Sequence, residues 1–159
     1  GTRCGALDPG ALLYLMEIEK LSLQEVGQLL YHGSGLLGLS GVSSDPRVLL
    51  GEEAGNARVQ AALALYVRRI VREIGALVAV LGGLDMLVFT AGIGEHNAAI
   101  RERVCAGLAY LGLALDGEAN AQNADRISSA VSRIPVQVER TNEEWVAAWH
   151  ACRLLPGLA

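Results

Sequence analysis

Cysteine is scarce in this chain of 159 residues, and its three cysteines, Cys4, Cys105 and Cys152, are widely separated. The count is odd and no Cys-x-x-Cys pair occurs, so the sequence does not support a disulfide scaffold or a zinc knuckle. We expect reduced thiols in a cytoplasmic protein. Cys105 should lie in the core, because apolar residues surround it on a predicted helix. The histidines lie in unrelated contexts, so we expect no metal cluster built on them.

Long apolar runs and blocks of positive charge are also missing. The longest apolar stretch, Ile74 to Leu84, has 11 residues including three glycines, whereas a helix that spans a bilayer needs roughly 20 apolar residues. The 13 Lys and Arg residues against 17 Asp and Glu residues give a formal net charge of −4. We therefore expect neither nucleic acid nor a membrane as a partner, and no secretory signal is recognisable.

Apolar residues, in contrast, make up 52% of the chain, and charged residues make up 19%. This composition excludes intrinsic disorder. The length suits one compact domain, or two small lobes that share an interface. Helical periodicity is interrupted by short strand-like runs, so we expect a helix-rich α/β fold.

Capping residues and apolar periodicity predict six helices. These cover residues 9–20, 22–31, 46–53, 56–81, 98–110 and 141–154. The longest of them is capped by Asn56 and has apolar residues at three- and four-residue steps. Past Arg72 it has almost no polar residues, so we expect that half to be buried on most sides.

Two strands are predicted, at residues 85–90 and 136–139, with weaker candidates at 113–115 and 126–129. The first of them fits a strand buried on both faces, as in a parallel sheet. Residues 36–44 are rich in glycine and serine, and we expect a buried loop or irregular strand there. Pro156-Gly157 should end the ordered part of the chain.

A glycine turn at residues 91–97 joins a predicted strand to a predicted helix. Gly92 and Gly94 lack Cβ atoms, so a ligand can approach the backbone closely, and the amino terminus of the helix suits phosphate. The third glycine of a Rossmann fingerprint is absent, with Asn97 in its place, and the chain has no P-loop. Nucleotide binding and an ordinary strand-to-helix connection both remain open here.

Two other motifs have a structural and a functional interpretation. Asp45 caps a helix beside Arg47, which could contact a base, ribose or phosphate, or could simply be solvated. Thr141 and Glu144 predict a capping box, which leaves Glu143 free either to approach a hydrated cation or to complement the helix dipole. Taken alone, each motif favours the structural interpretation.

Four segments together resemble the acetate kinase family. Residues 1–9, Gly-Thr-Arg-Cys-Gly-Ala-Leu-Asp-Pro, are similar to the family's Gly-Thr-Arg-Ser-Gly-x-x-Asp-Pro, and residues 34–47 are similar to its Ser-Gly-Leu-Leu-Gly-x-Ser-Gly-x-Ser-x-Asp-x-Arg. Residues 89–95 and 135–144 resemble two further segments, in the same order and with similar spacing. The family pattern has Ser where Cys4 stands and commonly Asn where His96 stands.

The resemblance implies the actin-like, sugar-kinase type of fold with ribonuclease-H-like halves, here as a helix-rich α/β domain with a long central helix. Chains of the family are much longer than this one. The resemblance therefore implies that residues 1–159 are the carboxy-terminal nucleotide-binding and dimerisation domain, and that the amino-terminal domain is absent. We expect this piece alone to be inactive.

The implied reaction is reversible phosphoryl transfer between ATP and acetate, giving acetyl phosphate and ADP, with Mg²⁺ as cofactor. The resemblance assigns a catalytic contact with acetyl phosphate to Arg3 and a magnesium-associated carboxylate to Glu143. The nucleotide contacts that it implies are Asp45, Pro46, Arg47, Gly92, Ile93, Gly94, Glu95 and His96. It also implies a homodimer. A propionate or butyrate kinase, and a non-catalytic nucleotide-binding or dimerisation domain, remain open alternatives.

Overall fold

The computed structural model describes residues 1–154, which fall into two compact units, Gly1–Ile74 and a second that begins at Gly75. The helices are α1 (Pro9–Glu19), α2 (Leu23–His32), α3 (Gly35–Ser40), α4 (Pro46–Gly51), α5 (Ala57–Leu81), α6 (Ala91–His96), α7 (Ala98–Gly107), α8 (Gly117–Ala121) and α9 (Glu143–Leu154). The strands are β1 (Leu87–Thr90) and β2 (Val136–Glu139), and a 3₁₀ turn, Ala109–Leu111, follows α7. The predicted helix-rich α/β composition is therefore confirmed.

Polar caps fix the starts of α1, α2 and α5, as predicted. Asp8 accepts a hydrogen bond of 3.1 Å from the amide three residues on, at the start of α1. Ser22 and Glu25 form the complete capping box of α2, since each side chain accepts a bond from the other residue's amide. Asn56 accepts a bond from the amide at the third residue of α5. These contacts are local, which is why the sequence predicts them.

Helix α3 occupies a segment for which the sequence predicts a loop or irregular strand, so that prediction is wrong. The amide of Leu37 donates to the carbonyl of Gly1, which ties the helix to the amino-terminal segment. A Cβ atom on Gly35, where φ is +61°, would lie only 2.7 Å from that same carbonyl oxygen. The glycine content therefore reflects close backbone packing around a short helix, not extended chain.

Helix α5 begins and ends as predicted, but its second half is more exposed than predicted. Its buried residues all lie in the first half: Val59, Ala62 and Leu63. Three apolar side chains near its end are exposed by 60%, 85% and 72%: Leu77, Val80 and Leu81. The prediction that this half is buried on most sides is wrong for residues 1–154, because no described side chain covers that apolar surface.

The second unit contains a two-stranded parallel sheet. Leu87 lies opposite Val136, and Thr90 lies opposite Glu139. The positions of both predicted strands are confirmed. Strand β2 buries Val136 and its second valine, whereas the residues of β1 are half-buried or exposed. The prediction that β1 is buried on both faces is wrong, because β2 is its one neighbour within the described residues.

The weak strand candidates at 113–115 and 126–129 do not form strands, although an isolated bridge joins Leu115 to Ser128. Cys105 is 3% exposed, which confirms its predicted place in the core. The buried apolar residues around it in the second unit are Ile100, Val104, Leu108, Leu113, Ile127, Ile134, Val136 and Val138.

The predicted end of order at residues 156–157 lies outside the described residues. Among residues 1–154 no helix is both long and apolar enough to cross a membrane.

Candidate functional site

The predicted glycine turn is a short helix, α6, which begins directly after β1. Ala91 joins the strand to the helix with a φ of +59°, in the left-handed region. That conformation costs an alanine roughly 1–2 kcal/mol, because its Cβ atom approaches the backbone. The abrupt change of direction lets α6 start at the carboxyl end of β1.

The two glycines of α6 have different surroundings. A Cβ atom on Gly94 would lie 3.3 Å from the carbonyl carbon of Phe89, so packing favours glycine there. A Cβ atom on Gly92 would have no neighbouring atom within 4 Å. Packing in the described chain therefore does not require a glycine at position 92, and the missing side chain leaves an open backbone surface that a ligand can approach.

Glu95 is 8% exposed, and its carboxylate reaches the segment that follows β2. The Oε1 atom accepts two hydrogen bonds of 2.9 Å, one from the amide of Thr141 and one from its hydroxyl. These bonds hold the pKa of the Glu95 carboxyl below its usual value, against the opposing effect of burial. Next to it, the His96 ring is 66% exposed, with Nε2 3.8 Å from Glu95 Oε2.

Thr141 does not cap α9, and the predicted capping box with Glu144 does not form. The Thr141 hydroxyl is bonded to Glu95, and Asn142 is the cap, since its Oδ1 atom accepts a 2.9 Å bond from the amide three residues on. Glu143 is therefore the first residue of α9, not the second. Its side chain is exposed, and within residues 1–154 its carboxylate has no hydrogen bond or ion pair.

Arg101, on α7, is a residue that the sequence analysis missed. Its side chain is fully buried, and all five guanidinium N–H groups donate hydrogen bonds. Nη1 donates to the carbonyls of Gly94 and Glu95 at 2.8 and 2.9 Å, and the other bonds reach Asn120 and Asn123. Burial lowers the pKa of this guanidinium. The available sequence signal was its position four residues before Cys105, on the buried side of the helix.

Arg3 lies in the first unit, in the extended segment before α1. It borders a cavity of about 840 Å³ together with Arg69, Arg72 and Glu73, and the last two form an ion pair with each other. Apolar side chains form much of the remaining wall: Leu36, Leu39, Leu65 and Tyr66. The cavity therefore combines positive charge with apolar surface, and its volume lies in the range of small-molecule sites.

Asp45 and Arg47 form an exposed ion pair at the start of α4. The Asp45 carboxylate caps the helix by accepting a 2.8 Å bond from the Arg47 amide, and the guanidinium reaches the same carboxylate at 2.6 Å. Bonding to the Arg47 side chain lowers the pKa of Asp45, and the same bonds raise the pKa of Arg47. Pro46, between them, is buried.

The predicted site residues thus fall into two sets, Arg3 with residues 45–47 in the first unit and residues 92–96 with Glu143 in the second. In the first unit, Arg3 borders the cavity and residues 45–47 do not. In the second unit, the bonds between Glu95 and Thr141 connect α6 to the segment that leads into Glu143. In the second set, a direct contact therefore links α6 to the segment before Glu143, although Glu143 itself does not contact α6.

Comparison with known proteins gives this chain a family. The Acetokinase family model matches residues 1–149. The chain belongs to the acetokinase family. An acetate kinase of Rhodopseudomonas palustris is 49% identical to it over 159 residues, which cover 99% of this chain and 39% of that protein. The resemblance drawn from the four sequence segments is thereby confirmed at the level of the family.

Solved acetokinase structures have the same fold. The crystal structure of Porphyromonas gingivalis acetate kinase matches with a TM-score of 0.85 and 39% identity, covering 94% of this chain and 38% of that one. A propionate kinase from Francisella tularensis matches with a TM-score of 0.84 and 33% identity, covering 90% and 37%. The predicted fold class is confirmed, and this acetokinase chain spans about two fifths of the length of the relatives that it matches.

Proposed function

We propose that this chain is the carboxy-terminal, nucleotide-binding part of an acetate kinase, an enzyme that transfers a phosphoryl group reversibly between ATP and acetate. Membership of the family over residues 1–149 supports this reaction class. The observation that carries the nucleotide assignment is the open backbone at Gly92, whose missing side chain no packing contact explains.

The exposed surface of α6 is the proposed contact for the nucleotide in the second unit. Gly92 and Ile93 would present backbone, while the exposed His96 ring can donate or accept a hydrogen bond. Gly94 and Glu95 complete the segment, with Gly94 allowing α6 to pack closely on β1. This arrangement supports contact through a closely approached backbone, which any bulky side chain at position 92 would prevent.

In the first unit, Asp45, Pro46 and Arg47 are the proposed nucleotide contacts. The pair between Asp45 and Arg47 is exposed, and such pairs contribute only about 0–1 kcal/mol. Arg47 can therefore exchange its partner for a ribose hydroxyl or a phosphate oxygen at small cost. Pro46 is buried and holds the start of α4 in place.

Glu143 is the proposed carboxylate for Mg²⁺. This metal keeps several of its waters and takes one or two protein carboxylates with the substrate's phosphates. The Glu143 carboxylate is exposed and has no other partner within residues 1–154, which fits that requirement. When bound, the metal would neutralise charge on the phosphates.

Arg3 is the proposed catalytic residue. A guanidinium can stabilise the charge that develops on the oxygens of a transferring phosphoryl group. The cavity beside Arg3 has the volume and the positive charge to admit a small phosphorylated ligand. Propionate is the second candidate acceptor, favoured by the match to the propionate kinase structure.

We also propose a homodimer in the cytoplasm. The exposed apolar surface of α5, formed by Leu77, Val80 and Leu81, supports self-association. The cysteines of the described chain are all free, which supports a reducing compartment.

Isothermal titration with ADP in the presence of Mg²⁺ tests the nucleotide assignment. Gly92→Leu should weaken binding about tenfold or more, equivalent to about 1.4 kcal/mol. Gly117→Leu is the matched control, because position 117 is also exposed and also has no neighbour within 4 Å of its Cβ position. Binding by Gly92→Leu equal to that of the unmodified chain would remove α6 from the site, and an unmodified chain that binds no ADP would contradict the assignment.

A further inference from the structure

We propose that Glu95 is a positioning residue whose carboxylate holds Thr141 and thereby places the Glu143 carboxylate relative to α6. The inference rests on the proposed function, in which α6 contacts the nucleotide and Glu143 holds the metal. It assigns to Glu95 a role different from direct contact with either ligand.

The parallel sheet sets up this contact. Strands β1 and β2 run in the same direction, and Thr90 at the end of one lies opposite Glu139 at the end of the other. Helix α6 begins immediately after β1, and Thr141 comes two residues after β2. Both segments therefore begin at the carboxyl ends of the two strands, and the Glu95 side chain spans the distance between them.

The carboxylate of Glu95 is committed to Thr141. Its Oε1 atom accepts both of the Thr141 donors at 2.9 Å, and the residue is 8% exposed. Hydrogen bonds to a charged acceptor are stronger than hydrogen bonds between neutral groups. This oxygen is therefore a structural acceptor, whereas the exposed carboxylate of Glu143 has no partner within residues 1–154 and is open to a hydrated cation.

Arg101 holds the other end of this connection. It donates from the buried side to the carbonyls of Gly94 and Glu95, so the last turn of α6 cannot shift without breaking those bonds. On the far side, Thr141 adjoins Asn142, which caps α9 and is followed directly by Glu143. Hydrogen bonds therefore connect the buried guanidinium, through α6 and Thr141, to the backbone that leads into Glu143.

Residues that orient a metal-associated carboxylate without touching the metal commonly change metal affinity by 10–100-fold when they are altered. Removing the Thr141 hydroxyl should therefore weaken the effect of Mg²⁺ on ADP binding while leaving the binding of metal-free ADP in place. A purely structural role would instead weaken both kinds of binding alike, or change neither.

The test compares ADP dissociation constants with Mg²⁺ and with EDTA for four variants of this chain. Thr141→Val removes the hydroxyl but keeps the shape and the amide, and Thr141→Ser restores the hydroxyl. Glu143→Gln removes the proposed metal contact directly. Glu144→Gln is the control, because it removes an equal charge from the neighbouring residue, to which no role is assigned.

We expect the Mg²⁺-dependent gain in ADP affinity to fall roughly tenfold in Thr141→Val, as in Glu143→Gln, and to return in Thr141→Ser. Glu144→Gln should keep the gain, and metal-free ADP should bind equally to all the variants. A gain that Glu143→Gln abolishes and Thr141→Val leaves intact would overturn the positioning role alone. Absence of any Mg²⁺-dependent gain in the unmodified chain would overturn the proposed metal role and this inference with it.

Hydrogen exchange gives a second measurement that needs no ligand. The Thr141 amide donates to Glu95, whereas the Val138 amide donates to a backbone carbonyl. In Glu95→Leu, NMR should show exchange at Thr141 about tenfold faster or more, with Val138 unchanged. Unchanged exchange at Thr141 would contradict the proposed contact, and faster exchange at both amides would assign Glu95 to global stability instead.

Discussion

At the scale of single residues, the candidate site depends on a buried charge that lies behind it. Arg101 satisfies all five of its donors with carbonyl and amide oxygens, and none of these acceptors is a carboxylate. Two of these acceptors, the Glu95 carbonyl and Asn120 Oδ1, belong to buried residues, so replacing Arg101 would remove their donors, and each buried group left unpaired costs about 1–3 kcal/mol. The geometry of α6 therefore depends on a side chain that cannot itself reach solvent.

We expect Arg101→Met to lower the free energy of unfolding by about 3 kcal/mol or more, because the apolar side chain cannot pair those oxygens. Urea denaturation followed by tryptophan fluorescence measures this, since Trp145 and Trp149 lie in the second unit with Arg101. Arg68→Met, at an exposed position, should stay within about 0.5 kcal/mol of the unmodified chain. Equal stability of the two variants would contradict the structural importance of Arg101.

Burial raises the pKa of the Cys105 thiol to about 12, whereas Cys152 is exposed. Thiolate is the reactive form, so iodoacetamide at pH 8 should modify Cys152 in the folded chain and Cys105 only in denaturant. Peptide mass spectrometry would show this. Rapid native labelling of Cys105 would contradict its burial.

The folded state also binds the Cys105 proton more tightly than the unfolded state does. The free energy of unfolding, relative to that of Cys105→Ala, should therefore fall as the pH rises above the ordinary thiol pKa of 9.0.

The residue scale also shows what a sequence pattern leaves undecided. Thr141 and Glu144 have the spacing of a capping box, yet Thr141 is bonded to Glu95, which lies 46 residues earlier. Asn142 is an equally good cap, and nothing local distinguishes the two residues. Because the box does not form, capping does not distinguish Glu144 from Glu143, which lies one residue nearer the start of α9 than predicted. The metal role of Glu143 stays a proposal.

At the scale of elements, local signals predicted the helix starts, and long-range contacts decided the rest. The caps at Asp8, Ser22 and Asn56 act within three residues, so the sequence contains all the information they need. Helix α3 depends instead on the amino-terminal segment, where the carbonyl of Gly1 accepts a hydrogen bond from the amide of Leu37. The exposure of β1 depends on how many strands pair with it and cover it, and β2 is its one partner within the described residues. The apolar sequence of β1 does not determine that number.

The junction between β1 and α6 provides a test at this scale. Ala91→Gly should raise the free energy of unfolding by up to about 1 kcal/mol, because glycine tolerates the φ of +59°. Ala91→Val should lower it by about 2 kcal/mol, since a branched side chain is strained there. Ala148→Gly, in the ordinary helix α9, should cost about 0.5–1 kcal/mol. A loss in Ala91→Gly as large as that control would contradict the strained junction.

At the scale of the whole molecule, the apolar end of α5 predicts association. Light scattering after gel filtration should give twice the monomer mass of 16.7 kDa at micromolar concentration. Leu77→Glu or Val80→Glu should give the monomer, because each places a charge on the exposed apolar surface. Ala64→Glu, exposed in the first half of α5, is the control.

Two results would contradict a closed dimer. A single species of monomer mass in the unmodified chain would show that the apolar surface does not mediate association under these conditions. A broad distribution of larger masses would show open-ended aggregation through an uncovered patch, without a defined two-fold interface.

The central claim, that this chain holds nucleotide contacts of an acetate kinase, is tested most directly by NMR of the ¹⁵N-labelled chain titrated with ADP and Mg²⁺. The account predicts saturable shifts at the amides of Gly92, Ile93 and His96 and at Arg47, with a metal-dependent shift at Glu143. The amide of Gly117 should not shift, because it is equally exposed but outside the proposed contacts. Saturable shifts that leave residues 92–96 and 45–47 unaffected, or no shifts at all, would contradict the claim.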